Sequence, residues 1–556
     1  MSTSNSHSNS TIVSSAQPNH TSQRSLAQPK YASQPASAPR SSRQVVLDAE
    51  RSAPTKFRAM QEPNDPPAAS LIQLYYSFFH SSHPIVLPPH WLLERGRKER
   101  ISQLKIVMQW LGSRYAQNAP SDLKRRQADQ LLMKQEPARN AWTVQALLLY
   151  AIGLHCCNEQ EYSMQVLTKA IDLALELRMN EAAFAITHCD GCSVTAESWR
   201  RTWWELYVLD GLMAGVHQQS SFRLHGIPAD VALPCEEKQY LSGAIPSKPR
   251  SVEEFDCRHF EEESDPGFSS YTYRIEAVRV LGKVLQAGQS FESSDPYVDA
   301  ADASLVNWGL YLPESKKELV GRDMKVDEML FQAHMIVNAA TIFLHRPRSS
   351  LAFSPVPDDT TCTPPRQVSQ PLKPMAFHTT KAIRAADTIS KLITLPTPLI
   401  KHTPWFTCVI TLAAIVHLSA CCFVLVGEDS FISKERIRLG VGALKTMEEV
   451  WPVAGCVLQQ VKGVAKEVFA IQARTPPEVD RMHNGTRVGD SGREGSLGAL
   501  SEEDVMRLID DENGFDSLGE SDYLGLPAME WDGTEDAIDL GIGDNGFGGD
   551  DETLMG

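Results

Sequence analysis

From about Ala68 to Ala473, apolar residues recur at three- and four-residue intervals, the spacing that lines one face of a helix. The stretch ASLIQLYYSFFHSSHP begins directly after prolines, is apolar at i, i+3 and i+4, and must stop before Pro84. TVQALLLYAIGLHCCNEQEYSMQVLTKAIDLALELRMN predicts one helix, a polar turn near Asn158–Gln160 and a second helix, which together make an αα-hairpin. Strand-type alternation of Val, Ile and Thr is scarce, so the expected fold class is all-α. Two stretches break the pattern, near 235–270 and 347–375, and both are expected to be long surface excursions. One segment needs a decision. WFTCVITLAAIVHLSACCFVLVG, residues 405–427, runs 23 residues without Asp, Glu, Lys or Arg, long enough to cross a bilayer. Its His417, its threonines and the Thr403-Pro404 start favour a central buried helix, with no membrane as partner.

Outside this span the periodicity disappears. Residues 1–66 are rich in Ser, Gln, Pro and Ala, and their first acidic residue is Asp48. Such a composition cannot bury enough apolar surface to offset its ordering entropy, so a disordered arm is expected. An acid-poor, Ser- and Arg-containing start also fits a mitochondrial transit peptide, but no amphipathic helix can be drawn through it. No continuous apolar stretch of a secretion signal is visible, and the eleven cysteines, none before Cys156, do not form a disulfide scaffold. An intracellular compartment is expected.

Charge sharpens this division into arm, body and tail. The net charge is −16, yet residues 476–556 hold 22 acidic residues and 4 arginines, a balance of −18. The rest is therefore near +2, a nearly neutral body at 67–474 with an acidic, disordered tail at 475–556.

Signatures of chemistry are few. Gly489-Asp490-Ser491-Gly492 has the form of a serine-protease nucleophile loop, but it continues Arg-Glu and sits in the tail. Gly541-Ile542-Gly543-Asp544-Asn545-Gly546 fits GxGxxG, yet no strand precedes it, no helix follows, and its acidic surroundings would repel a pyrophosphate. Cys189-Asp190-Gly191-Cys192 is a CxxC between helices without a second ligand pair at metal spacing. Basic runs at Arg95–Arg100 and Lys124-Arg125-Arg126 could serve nuclear import or nucleic acid, although short runs are usually solvated helix faces. No catalytic residue, cofactor or metal ligand is therefore expected, nor an enzyme.

The segment ESWRRTWWELYVLD, residues 197–210, poses a sharper question. At about 100 degrees per residue, Trp199, Trp203, Leu206, Asp210 and Met213 share one arc, with Arg201 and Glu205 opposite. Asp210 thus falls in the tryptophan stripe, where a carboxylate must be paired, hydrogen-bonded or raised in pKa. A general acid would need a titratable companion, and none is evident nearby. The expected role is a clamp between helices, to arginine or to backbone.

The longer phrase ESWRRTWWELYVLDGLMAGVHQQSSFRLHGIPADVALP resembles the signature of the fungal-specific transcription factor domain, or middle homology region. Arg200, Arg201, Trp203, Trp204 and Asp210 stand in its RRxWW…D pattern, and Asp230-Val231-Ala232-Leu233-Pro234 in its closing phrase. LIQLYYSFFHSSHPIVLPPHWL, the hairpin, MIVNAATIFLHRPRSSL, KAIRAADTISKLI and the 405–427 helix resemble further family segments in the right order. The resemblance covers about 70–470. It implies an all-α regulatory domain of a nuclear transcription activator, often controlling one metabolic or secondary-metabolite gene cluster. In that family a binuclear zinc cluster usually precedes the domain and places a helix in the DNA major groove. No cysteine precedes Cys156, so that cluster is expected to be absent. A missing gene start, a DNA-binding partner or another contact surface would each account for this. The tail interleaves Phe515, Leu518, Tyr523, Leu526 and Trp531 with carboxylates, a pattern suited to an activation segment that folds in a coactivator groove. The alternatives are a co-regulator or homo- or heterodimerisation scaffold without DNA binding of its own, and a membrane-associated or enzymatic helical protein.

Overall fold

The computed structural model describes residues 68–92, 100–116, 119–258, 267–288, 295–353 and 375–474. Among these the regular structure is helical, and an isolated bridge from Val320 to Val326 is the only β pairing. The fold is all-α. Its longer helices are α1 (Ser102–Ser113), α2 (Ala141–Cys156), α3 (Gln160–Glu176), α4 (Ser193–Val216), α5 (Ser270–Ala287), α6 (Pro296–Leu310), α7 (Glu328–His345), α8 (Met375–Ile393), α9 (Phe406–Phe423), α10 (Gly427–Glu448) and α11 (Pro452–Arg474).

Local chemistry starts several of them. Asn140, Ser269 and Asp327 each accept a backbone N–H of the first turn of α2, α5 and α7. Each cap satisfies one of the orphan donors that a helix start leaves. The predicted hairpin is α2 and α3, with Asn158 in the left-handed region at φ 64° in the turn between them. The first apolar stretch forms a short helix, Ala68–Leu74, that widens into a π-turn over Tyr75–Phe79 before Pro84.

The packing order closes on itself. α2 contacts α4, α4 lies on α5, α5 on α7, α7 on α9, α9 on α11, and α11 returns to α2. Helices packed against several neighbours are covered on all sides and need apolar residues all round. α2 is buried along its whole length, and α9 from Phe406 to Cys421. The charge-free segment is thus a core helix from Phe406 to Phe423, enclosed by α7, α8, α10 and α11, and its last residues form the turn into α10. Some of its polar side chains find partners inside: Thr411 bonds the Thr407 carbonyl at 2.9 Å, and His417 meets Ser390 at 3.2 Å.

The stretch near 235–270 departs from expectation. It is not simply a surface excursion: short helices at Glu237–Ser242 and Val252–Asp256 bury Tyr240 and Phe255. Each carries a capping box, Glu236 with Gln239 and Ser251 with Glu254. Single aromatic anchors in polar sequence leave no periodicity, so the pattern could not reveal them. Of the other interruption, residues 354–374 lie outside the described set.

Candidate functional site

The signature segment is α4, and from Val194 to Val216 every residue except Asp210 is buried. The helical wheel holds for Trp199, Trp203, Leu206 and Met213, which are buried, and fails for the charged residues. Arg201 and Glu205, assigned to the arc opposite the tryptophans, are 0% and 1% exposed, whereas Asp210 reaches partly to solvent. A helix wrapped on all sides has no polar arc, so the wheel could not separate inside from outside.

Two charged clusters result. The Glu205 carboxylate accepts from Arg274 Nη1 at 2.7 Å and Nη2 at 2.8 Å, from His83 Nδ1 at 2.8 Å and from the Tyr271 hydroxyl. His83 continues through its Nε2 to Thr403 Oγ1 at 3.2 Å. The turn before Pro84, α4 and α5 therefore meet at one carboxylate, and His83 extends the network to the entry of α9. Burial pushes the Glu205 carboxyl up, but the Arg274 charge and the bonds from His83 and Arg274 overcome it and hold the group well below the usual carboxylate range.

The second cluster surrounds Arg201. Its Nε donates to Glu197 at 2.9 Å, Nη1 to Glu237 at 2.5 Å, and Nη2 to the Cys235 carbonyl at 2.9 Å. The guanidinium lies 4.1 Å from the centre of the Tyr240 ring. Arg200 pairs with the other Glu197 oxygen at 2.7 Å. The two signature arginines thus share Glu197, and through Arg201 they fasten residues 235–240 to α4.

Trp203 is buried, and Trp204 donates its indole N–H to the Ala232 carbonyl at 3.0 Å. Asp210 accepts the Leu224 N–H at 2.8 Å. Burial pushes its carboxyl up to about 6, with the Leu224 bond and Arg223 working against the shift. Asp230 accepts the Ala182 N–H at 2.6 Å, while Val231 and Leu233 are buried. Between α4, the loop from Leu224 to Leu233, the Val252–Asp256 helix and α5 lies a cavity of about 110 Å³. Of the signature residues, Trp203, Trp204 and Leu233 line this cavity, Asp210 and Trp204 brace the loop beside it, and Arg201 holds residues 235–237.

The other flagged motifs stand apart. Cys189 donates to the Ile186 carbonyl at 3.1 Å in a turn held by Asp190 and Gly191, both at positive φ. Arg100 pairs with Asp190, and Arg125 with Glu159. Among the described residues no three His, Cys, Asp or Glu side chains are grouped to hold a metal ion. Phe515, Leu518, Tyr523, Leu526, Trp531 and the two glycine-containing tail motifs lie outside the described residues.

Several residues of the clusters escaped the sequence reading. Glu197 could have been found from its i, i+4 spacing to Arg201. His83, Arg274, Glu237 and Tyr240 carry no local signal.

Comparison with known proteins now bears on this arrangement. Residues 72–297, which include both clusters except Thr403, match the family described as the fungal specific transcription factor domain. This region is a fungal specific transcription factor domain. A curated relative, the C6 finger domain transcription factor iacK of Pestalotiopsis fici, is 40% identical over 403 residues, 72% of this chain. The match covers 60% of that relative's own length. No solved structure matches the chain.

Proposed function

We propose that the chain is a nuclear transcriptional regulator of the fungal type, pathway-specific, of the kind that controls one secondary-metabolite gene cluster. The observation that carries this reading is the domain match over 72–297. The likeness to a protein described as a transcription factor supports it. In this reading the helical body at 67–474 is a rigid regulatory platform. Coactivators are recruited by the acidic-apolar tail at 475–556, through Phe515, Leu518, Tyr523, Leu526 and Trp531. Contact with DNA is made directly or through a DNA-binding partner, as a homo- or heterodimer.

Like charges keep the tail's apolar side chains apart until a groove takes them up, and folding then accompanies binding. Residues 476–556 fused to a heterologous DNA-binding domain should activate a reporter, and replacing Phe515, Leu526 and Trp531 with Ala should abolish that. An intact fusion that stays silent would remove the activation role.

A further inference from the structure

The cavity beside α4 has the lining of a ligand site. An apolar cavity of about 150 Å³ admits benzene; at about 110 Å³ this one is smaller, so a single ring enters only as its walls move outward. Its walls present aromatic side chains from two elements, Trp203, Trp204 and Tyr207 of α4 and Phe255 of the Val252–Asp256 helix. Trp204 and Tyr207 stand edge to face with centroids 5.8 Å apart, an arrangement that offers ring faces and edges to a planar guest.

The charges at the cavity are already matched. Glu276 takes two bonds from Arg258, at 3.0 and 3.2 Å. Arg279 grips both oxygens of Asp256, at 2.7 and 3.0 Å. A charged guest would lose hydration without gaining an open counter-charge. Uncharged hydrogen-bonding capacity remains at the Tyr207 hydroxyl and the His225 ring, which meet at a long 3.3 Å. Burial, with Arg279 and Lys283, lowers the His225 pKa and keeps the ring neutral.

We propose that this cavity binds a neutral, single-ring aromatic molecule bearing a hydroxyl group, its ring among Trp204, Tyr207 and Phe255 and its hydroxyl on Tyr207 and His225. The loop that carries His225 is tethered to α4 at both ends, by Asp210 to Leu224 and by Trp204 to Ala232. Occupancy is therefore felt along the signature helix. The inference does not depend on the transcriptional reading.

The test uses the full chain and p-cresol as probe, read by saturation-transfer NMR. Binding is expected, with benzoate and cyclohexanol at least about tenfold weaker, because one adds a charge and the other lacks the ring. Ala229→Phe, which fills the cavity, should weaken p-cresol at least about tenfold, and Tyr207→Phe about fivefold for one lost hydrogen bond. Hydrogen exchange at 222–233 in the unmodified protein should slow with p-cresol, a readout that stands even if Ala229→Phe fails to fold. Absence of both transfer and slowed exchange in folded protein overturns the proposal. So does undiminished p-cresol binding by folded Ala229→Phe, or equal binding of benzoate.

Discussion

Glu205 receives bonds from three residues on two other elements, and its loss strands the Arg274 guanidinium, which is itself fully buried. Breaking a buried pair on one side typically costs about 3–5 kcal/mol, whereas replacing both partners by apolar groups costs much less. Glu205→Ala should therefore lower the unfolding free energy in urea by roughly that amount. Arg274→Met on the same background should recover more than half of the loss, and no recovery would mean the cost lies elsewhere. Asp210 titrates with the opposite sense to Glu205. Its folded pKa of about 6 lies above its ordinary value near 3.8, so the native state binds its proton more readily than the unfolded chain does. The stability linked to Asp210 is then fully present below about pH 4 and is lost as pH rises through about 6. Asp210→Asn keeps an oxygen for the Leu224 N–H without the ionisation. It should be more stable than the parent by about 1–2 kcal/mol at pH 7.5, after allowance for partial exposure, and no different at pH 4. Glu205, and Asp302 of α6 where it pairs with His345 and Lys381, are both held well below the usual carboxylate range and make the protein lose stability as pH falls. The difference between Asp210→Asn and parent unfolding curves isolates the Asp210 contribution.

Elements meet most closely where glycine removes a side chain. The helix Ala68–Leu74 crosses α1 at Gly112, where an added Cβ would collide with the Leu71 carbonyl oxygen. Backbone cannot yield as a flexible side chain can, so Gly112→Ala should destabilise by about 1–3 kcal/mol despite its better helix propensity. Thermal unfolding checks this, and an unchanged Tm would show that the crossing relaxes at no cost. The same scale explains what could be read in advance. The αα-hairpin and the core helix within 405–427 were legible because apolar spacing and turn residues act within a few positions. The short helices at 237–242 and 252–256 were not, because they are held by Tyr240 and Phe255 packing against distant elements. Of the signature residues, their membership in one segment was legible. That Arg200 and Arg201 turn inward onto Glu197 was not, since a wheel assumes one face toward solvent.

For the whole molecule, the distribution of charge and apolar length sets behaviour. The body is near neutral, the tail carries −18, and the one described helix long and apolar enough to cross a membrane is enclosed within the body. Full-length protein is therefore expected in the supernatant after carbonate washing of membranes. Retention in the washed pellet would require α9 to leave its neighbours. The helical class, the hairpin α2–α3, the apolar helix within 405–427, the division of charge between body and tail and the signature segment follow from the sequence alone, since each is written in near neighbours along the chain. Tertiary structure alone decided that His83, Glu205, Arg274 and Thr403 share one buried network, and that the signature loop encloses a cavity. Those partners stand 122, 69 and 320 positions apart along the links His83–Glu205, Glu205–Arg274 and His83–Thr403. No local periodicity records such pairings: packing brings the groups together, and exclusion of water makes each depend on the other.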